Sequence, residues 1–350
     1  MIEKLEKIGL WEHIKNEKRP IVLYGMGNGA DMIIDVLEKN GVEFADVFAS
    51  DSFVRGHYFH GKKVLRLCEV EEKYEDFVVL MTFAVHDEAT LSFVKELSRK
   101  HTLFSPTVPI AGNGLFTLGY VKEYDRDFDA AYDLLADEKS RKAFVDVLNF
   151  KISGKTDYLF SCQCEKEEVY RDILMLGEHE HIVDLGAYDG DTIREFLAAT
   201  NGKYSSITAF EPDEKNFKKL ERKTAGLNNI ERYNLGAWSK KEVLFFQKKA
   251  GRNSAQNEAG IPINFDSVDN VVKHEVSFIK MDIEGAESEA IDGAAKTIIE
   301  YKPKLYVCAY HRNEDMFVLP MKIHALNPNY RIYFRHHPYI PAWESNFYCV

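Results

Sequence analysis

Short apolar runs alternate with amphipathic stretches along most of the chain. Residues 21–24 (IVLY) run into Gly25-Met26-Gly27-Asn28-Gly29-Ala30, after which Ile33, Val36 and Leu37 recur at helical spacing. That order predicts strand, glycine turn and helix. Gly41 closes the helix, and residues 46–51 (DVFASD) read as a second strand with an acid at its carboxyl end. Residues 77–81, a helical stretch around Leu91 to Leu97, and residues 102–104 continue the rhythm. Strands that alternate with helices build parallel sheets, so residues 1–110 are expected to form a small Rossmann-like domain.

The rhythm fades over residues 111–175, where Asp129 to Phe150 carries Ala, Leu, Lys, Asp and Glu at helical spacing before Gly154 and a mixed segment, which predicts a helical connector. It returns in residues 182–185, 206–210, 230–235, 278–281 and 305–309, and two β-like runs, 330–334 and 346–350, follow without a helix between them. Residues 176–350 are therefore expected to be a second α/β domain whose parallel sheet ends in an antiparallel pair.

A length of 350 residues fits two cores better than one, and 45% hydrophobic with 29% charged residues describes a globular chain. The first twenty residues are charged throughout, without the apolar centre of a signal peptide, and no run approaches the ~20 apolar residues of a membrane span. A cytoplasmic protein without a membrane partner is expected. Cys68, Cys162, Cys164, Cys308 and Cys349 are scattered and odd in number, which argues for reduced thiols and against a disulfide framework or a four-cysteine zinc site. A net charge of −11 repels a phosphate backbone, so no nucleic-acid partner is expected.

The candidate chemistry begins where the first strand of the second domain enters Asp184-Leu185-Gly186-Ala187-Tyr188-Asp189-Gly190-Asp191-Thr192. Glycines there let a ligand approach the backbone, and the helix that follows offers unpaired N–H groups. The next strand ends in Phe210-Glu211-Pro212-Asp213, placing an acid where a ribose diol is hydrogen-bonded in doubly wound folds. Dinucleotide and S-adenosylmethionine sites share these two features, which leaves the choice between them open.

A third element is Tyr233 to Ser239 (YNLGAWS), beside the expected adenine position, and a fourth is Lys280 to Glu287 (KMDIEGAE). In this order, VDLGAYDGDT, AFEPDEKNF, NLGAWS, IKMDIEGAE and the KPKL strand, over about residues 180–310, resemble the FkbM-type family of S-adenosylmethionine-dependent methyltransferases. The resemblance implies a class I methyltransferase fold, S-adenosylmethionine as cofactor, and methylation of a hydroxyl oxygen on a sugar-containing or other small metabolite. It implies a cofactor site made of Asp184, Gly186, Ala187, Tyr188, Thr192, Glu211, Pro212, Gly236, Ala237, Trp238 and Asp282. Asp184 and Gly186 would border the methionine moiety and Glu211 would take the ribose hydroxyls. Trp238 either stacks on adenine or packs in the core.

Asp282 and Glu284 follow an apolar strand at its ligand-binding end, where they can orient a hydroxyl, act as general base or ligate a divalent cation. Glu284 can equally serve the start of the next helix. His311 ends the fifth strand and is either a base for a hydroxyl proton or an ordinary supporting histidine. His336 and His337, between the last two strands, either cover the site or, the reading preferred here, are solvated loop histidines, and Asn327-Pro328-Asn329-Tyr330 reads as a loop introducing a strand. A metal requirement is left undetermined.

In front, Gly25-x-Gly27-x-x-Ala30 with Asn28 and Asp51 resembles a dinucleotide fingerprint, and residues 55–64 are similar to the nucleotide-sugar-binding domain of bacterial sugar acyltransferases. This domain either binds a nucleotide-linked substrate or is a structural, possible homodimer-forming unit. The expected activity is methyl transfer to a small sugar-containing or nucleotide-linked acceptor. A noncatalytic nucleotide or sugar-nucleotide binding protein is the alternative, and a nicotinamide-dependent oxidoreductase lacks a recognisable catalytic pair.

Overall fold

The structure is a computed structural model that describes residues 1–109, 111–112, 114–247, 255–256 and 261–350. The front strands are β1 (Ile21–Tyr24), β2 (Asp46–Phe48), β3 (Tyr58–Phe59), β4 (Lys62–Leu65), β5 (Val78–Met81) and β6 (Thr102–Phe104). They form one sheet in the order β3-β4-β2-β1-β5-β6, parallel except for the β3–β4 hairpin. β1 and β5 are buried along their whole length, as unbroken apolar runs are in a sheet covered on both faces. The hairpin escapes the periodicity because its first strand is two residues long. The close-packing glycine of the first turn is Gly29, since a Cβ there would lie 2.2 Å from the Thr82 carbonyl oxygen.

The remaining strands are β7 (His181–Leu185), β8 (Ser206–Phe210), β9 (Ile230–Tyr233), β10 (Gly236–Ala237), β11 (Glu242–Gln247), β12 (Ala255–Gln256), β13 (Ile261–Asp266), β14 (Phe278–Met281), β15 (Lys304–Cys308), β16 (Ile332–His336) and β17 (Ser345–Cys349). Seven of them form a sheet in the order β16-β17-β15-β14-β7-β8-β9. Five are parallel, and β17 runs antiparallel between β15 and β16, as the uninterrupted final pair of runs leads one to expect. The order reverses at β7, between β8 and β14, which opens a crevice at the carboxyl ends of these strands. A small sheet, β10-β13-β11-β12, was not anticipated. Its strands turn out of β9 at Gly236, where a Cβ would lie 2.2 Å from the Phe265 ring.

Between the two large sheets lie helices Leu118–Glu123, Asp125–Asp133, Glu138–Ser153, Thr156–Cys162 and Lys166–Val169. The helix expected through Asp129 to Phe150 is broken, because Asp137 accepts the Ser140 N–H at 2.7 Å and starts a new one. Phe144, Leu148, Phe150 and Ile152 of that helix are buried in one cluster with Val22 and Met81 of the front sheet and Ile279, Leu305 and Phe347 of the rear sheet. Arg335 on β16 is buried and pairs with Asp137 at 2.7 Å while donating to Ser140 Oγ at 2.7 Å. Bridges from Leu135 to Ile332 and from Gln163 to His336 cover the β16 edge.

His336 and His337 are the correction here, for both are buried. His336 Nδ1 lies 3.0 Å from Ser345 Oγ, and His337 lies 2.6 Å from both the Cys164 carbonyl oxygen and the Tyr348 hydroxyl. Burial pushes them down to about 3 and about 4, so they are neutral. His336 is the last residue of β16 and His337 follows it, and the helical segment packs against both.

Asp137 both caps a helix and compensates a buried guanidinium, so Asp137→Ala is expected to cost ~2–4 kcal/mol in urea unfolding. A loss under about 0.5 kcal/mol, the scale of a neutral surface change, would show that this pair does not hold the helices to the rear sheet.

Candidate active site

The turn after β7 is shaped by a close crossing of backbones. Gly186 has φ 80, and a Cβ on it would lie 2.0 Å from the Asp282 carbonyl oxygen, so no other residue fits between the ends of β7 and β14. Gly190, at φ 87, precedes helix Asp191–Ala199. Ala187 is buried, Thr192 is nearly so, and Tyr188 is exposed beneath Lys219, whose ammonium is 5.6 Å from the ring.

Glu211 leaves β8 beside this turn. Its Oε2 accepts the Tyr188 N–H and its Oε1 the Asp213 N–H, both at 2.9 Å, which fixes the carboxylate at the crevice rim. Burial nevertheless pushes the carboxyl up to about 7 against those two hydrogen bonds. Asn234 donates to the carbonyl oxygens of Glu211 and Pro212 at 2.8 and 3.1 Å and so ties the end of β9 to the end of β8.

Lys280 sits within the buried strand β14, where an ammonium needs compensation. Its Nζ lies 3.5 Å from Asp184 Oδ1, 3.8 Å from Asp282 Oδ2, and 3.3 Å from both the Gly186 carbonyl oxygen and Thr192 Oγ1. Burial opposes its charge, but the two aspartates hold its pKa above the usual lysine value. Asp184 is fully buried, and neither carboxylate oxygen has a hydrogen-bond partner among the described residues. Burial pushes it up to about 6, with Lys280 working the other way. Lys280 is not among the site residues expected from sequence, although a lone lysine in an apolar strand was the available signal.

Asp282, Tyr310 and His311 meet at the next strand ends. The Tyr310 hydroxyl donates to Asp282 Oδ1 at 3.0 Å, and His311 Nε2 is 3.5 Å from the same oxygen and 3.7 Å from Glu284 Oε2. On its other side, His311 Nδ1 is 2.9 Å from Glu287 Oε1, which also accepts the Ile283 N–H at 2.9 Å. Burial works against a charged His311, yet Glu287, Asp282 and Glu284 together raise it to about 9, so the ring is an imidazolium at neutral pH. Burial works to raise Asp282, but Lys280, His311 and the tyrosine hydroxyl hold it below the ordinary carboxylate range.

Glu287, fully buried at the start of helix Glu287–Gly293, is a second residue that sequence reasoning missed. It, rather than Glu284, reaches back to the backbone ahead of the helix. Glu284 is exposed at φ 56 and faces His311. One donor atom each from Asp282, Glu287 and His311 lie within 4.8 Å of one another, making them the candidate metal ligands. The chain leaving the front sheet crosses here: the Ala111 N–H donates to the His311 carbonyl oxygen at 3.2 Å, and Asn313 donates to the Gly114 carbonyl oxygen at 3.3 Å.

Gly236 and Ala237 are buried in the small sheet, and Trp238 is half-buried with its ring edge-on to Phe265 at 5.7 Å. The front residues form a separate place. Gly25 and Gly27 have φ 109 and 118, Asn28 is exposed and contacts Met32 Sδ at 3.8 Å, and Asp51 is exposed on a short turn after β2.

Residues 184–340 match the family model of the methyltransferase FkbM domain. No curated protein matches. Among solved structures, the chain is similar to the methyltransferase FkbM from Methylobacillus flagellatus KT, at 22% identity over 100% of this chain and 92% of that one, with a TM-score of 0.75. Lesser likenesses are to an rRNA methylase from Streptococcus thermophilus (13% identity, 53% of this chain, 92% of that one, TM-score 0.36). Another is to Aeropyrum pernix fibrillarin in complex with natively bound S-adenosyl-L-methionine (12% identity, 53% of this chain, 73% of that one, TM-score 0.34). The first of these shows a fold shared along the whole chain, and the match to the FkbM methyltransferase domain model spans residues 184–340.

Proposed function

We propose that this chain transfers a methyl group from S-adenosylmethionine to a hydroxyl oxygen of a small metabolite that contains a sugar or is linked to a nucleotide. The observation that carries the reading is Glu211, whose carboxylate is buried and oriented by two backbone N–H groups beside the glycine turn. A carboxylate so placed can still accept from a ribose diol. The other residues fit the same cofactor: Gly186 leaves no side chain in the way, Asp184 has two buried oxygens without hydrogen-bond partners, and Gly236, Ala237 and Trp238 follow β9 toward the adenine side. When bound, the cofactor supplies a methyl group already activated by its sulfonium.

The chain's own tasks are then to hold a hydroxyl in line and to take its proton. Positioning alone can lower a barrier by ~7–11 kcal/mol in favourable cases. Asp282 and His311 stand at the ends of β14 and β15, beside the cofactor turn, where both can bind a hydroxyl. Asp282 is ionised but a weak base, and His311 is the stronger base only after it has lost its own proton. The net charge of −11 favours a small acceptor over a nucleic acid. No described helix is long and apolar enough to cross a membrane.

Calorimetry of cofactor-free protein is expected to show binding of S-adenosylmethionine and S-adenosylhomocysteine, weakened by ~1–3 kcal/mol in Glu211→Ala, the scale of a lost buried hydrogen-bond partner. No binding to the folded wild type would overturn the reading. With an acceptor found by screening hydroxylated sugars and sugar nucleotides, and with a chelator present, kcat/KM gives the base. If it is His311, with its pKa raised to about 9, activity climbs about tenfold per pH unit through neutrality, levels above that value, and loses the climb in His311→Gln. A profile flat across that range would give the proton to Asp282.

A further inference from the structure

Three side chains that no hydroxyl-binding role fully accounts for converge behind the acceptor end of the crevice: Asp282 after β14, Glu287 at the start of its helix, and His311 after β15. We propose that Asp282, Glu287 and His311 bind one divalent transition-metal cation, such as Mn2+.

The spacing suits an ion. Metal bonds of about 2.0–2.3 Å to oxygen and nitrogen keep two donors on one ion about 2.9–4.5 Å apart. One donor atom each from Asp282, Glu287 and His311, a single imidazole nitrogen in the last case, falls within 4.8 Å of the others. A slight contraction collects them.

A second observation is independent of the spacing. Glu287 is 0% exposed, and its Oε2 has no hydrogen-bond partner among the described residues, although a buried carboxylate oxygen normally requires one. An ion would supply it. Charge points the same way, since the carboxylates of Asp184, Asp282, Glu284 and Glu287 lie about the cations Lys280 and His311. The ligands are also held from behind, Asp282 by the Tyr310 hydroxyl and Glu287 by the Ile283 N–H, as orienting partners of metal ligands are. Two carboxylates and an imidazole are a donor set for Mn2+, Fe2+ or Zn2+, with open positions on the side where Asp282 and Glu284 reach solvent. A metal there would bind the acceptor hydroxyl and make it more acidic. That role rests on the methyl-transfer reading, whereas the binding itself does not.

Chelator-stripped full-length protein is titrated with Mn2+ near neutral pH while the free ion is followed by electron paramagnetic resonance. The expected result is one ion per chain, with Kd raised at least about tenfold in Glu287→Gln and in Asp282→Asn, each checked for folding by circular dichroism. Absence of saturable binding by wild type below about 1 mM, or a Kd raised less than that in the folded variants, overturns the site. Should neither variant fold, X-ray absorption on Mn2+-loaded wild type decides, because an imidazole in the ligand shell supports the site and an all-oxygen shell overturns it. Calorimetry with S-adenosylmethionine on the same samples separates the two readings: cofactor binding without Mn2+ binding removes the metal site alone, and Mn2+ binding without cofactor binding removes only the methyl-transfer reading.

Discussion

The buried ammonium of Lys280 is the constraint around which the rear sheet's binding edge is organised. A charge inside a sheet covered on both faces is tolerable only with opposite charges in reach, and Asp184 and Asp282 provide them from the ends of β7 and β14. Gly186 is the geometric counterpart of this electrostatic demand, because the backbone of Asp282 occupies the space its side chain would need. Together they fix the spacing of the two strand ends that border the crevice. They also keep Asp282 ionised beside His311.

Beyond that centre the site divides into two halves with different chemistry. At Glu211 a single carboxylate is immobilised by backbone donors and made reluctant to ionise by burial, which suits hydrogen bonding to neutral hydroxyls. At His311 several carboxylates crowd one imidazole and hold it charged. In the proposed reading the first half recognises the cofactor's hydroxyls, and the second moves a proton or holds a cation.

The front sheet is mechanically continuous with this arrangement. Helix Glu138–Ser153 shares its core with strands of both sheets, and Asp137 locks it to Arg335 at the sheet edge. The Ala111 N–H reaches the carbonyl oxygen of His311 itself, so the chain leaving the front sheet borders the His311 end of the crevice. This contact gives the front half of the chain a structural bearing on the site whatever its glycine loop binds.

The sequence by itself determined the elements and their order. A run such as IVLY or FIKM, a glycine-punctuated turn and a helical repeat are properties of neighbours along the chain; these led to the strands and the crevice end of the sheet, and with the family resemblance to the residues Asp184, Gly186, Glu211 and Asp282. Tertiary structure decided what depends on distant segments meeting. The burial of His336 and His337 comes from the helical segment, the break at Asp137 from a cap and an arginine far along the chain, and the small sheet from a turn at Gly236 that Phe265 fills. The pairing of Glu287 with His311, and of Lys280 with two aspartates, was likewise invisible, because burial and electrostatic partnership are set by which strand ends lie side by side, and periodicity records only the faces of a single element.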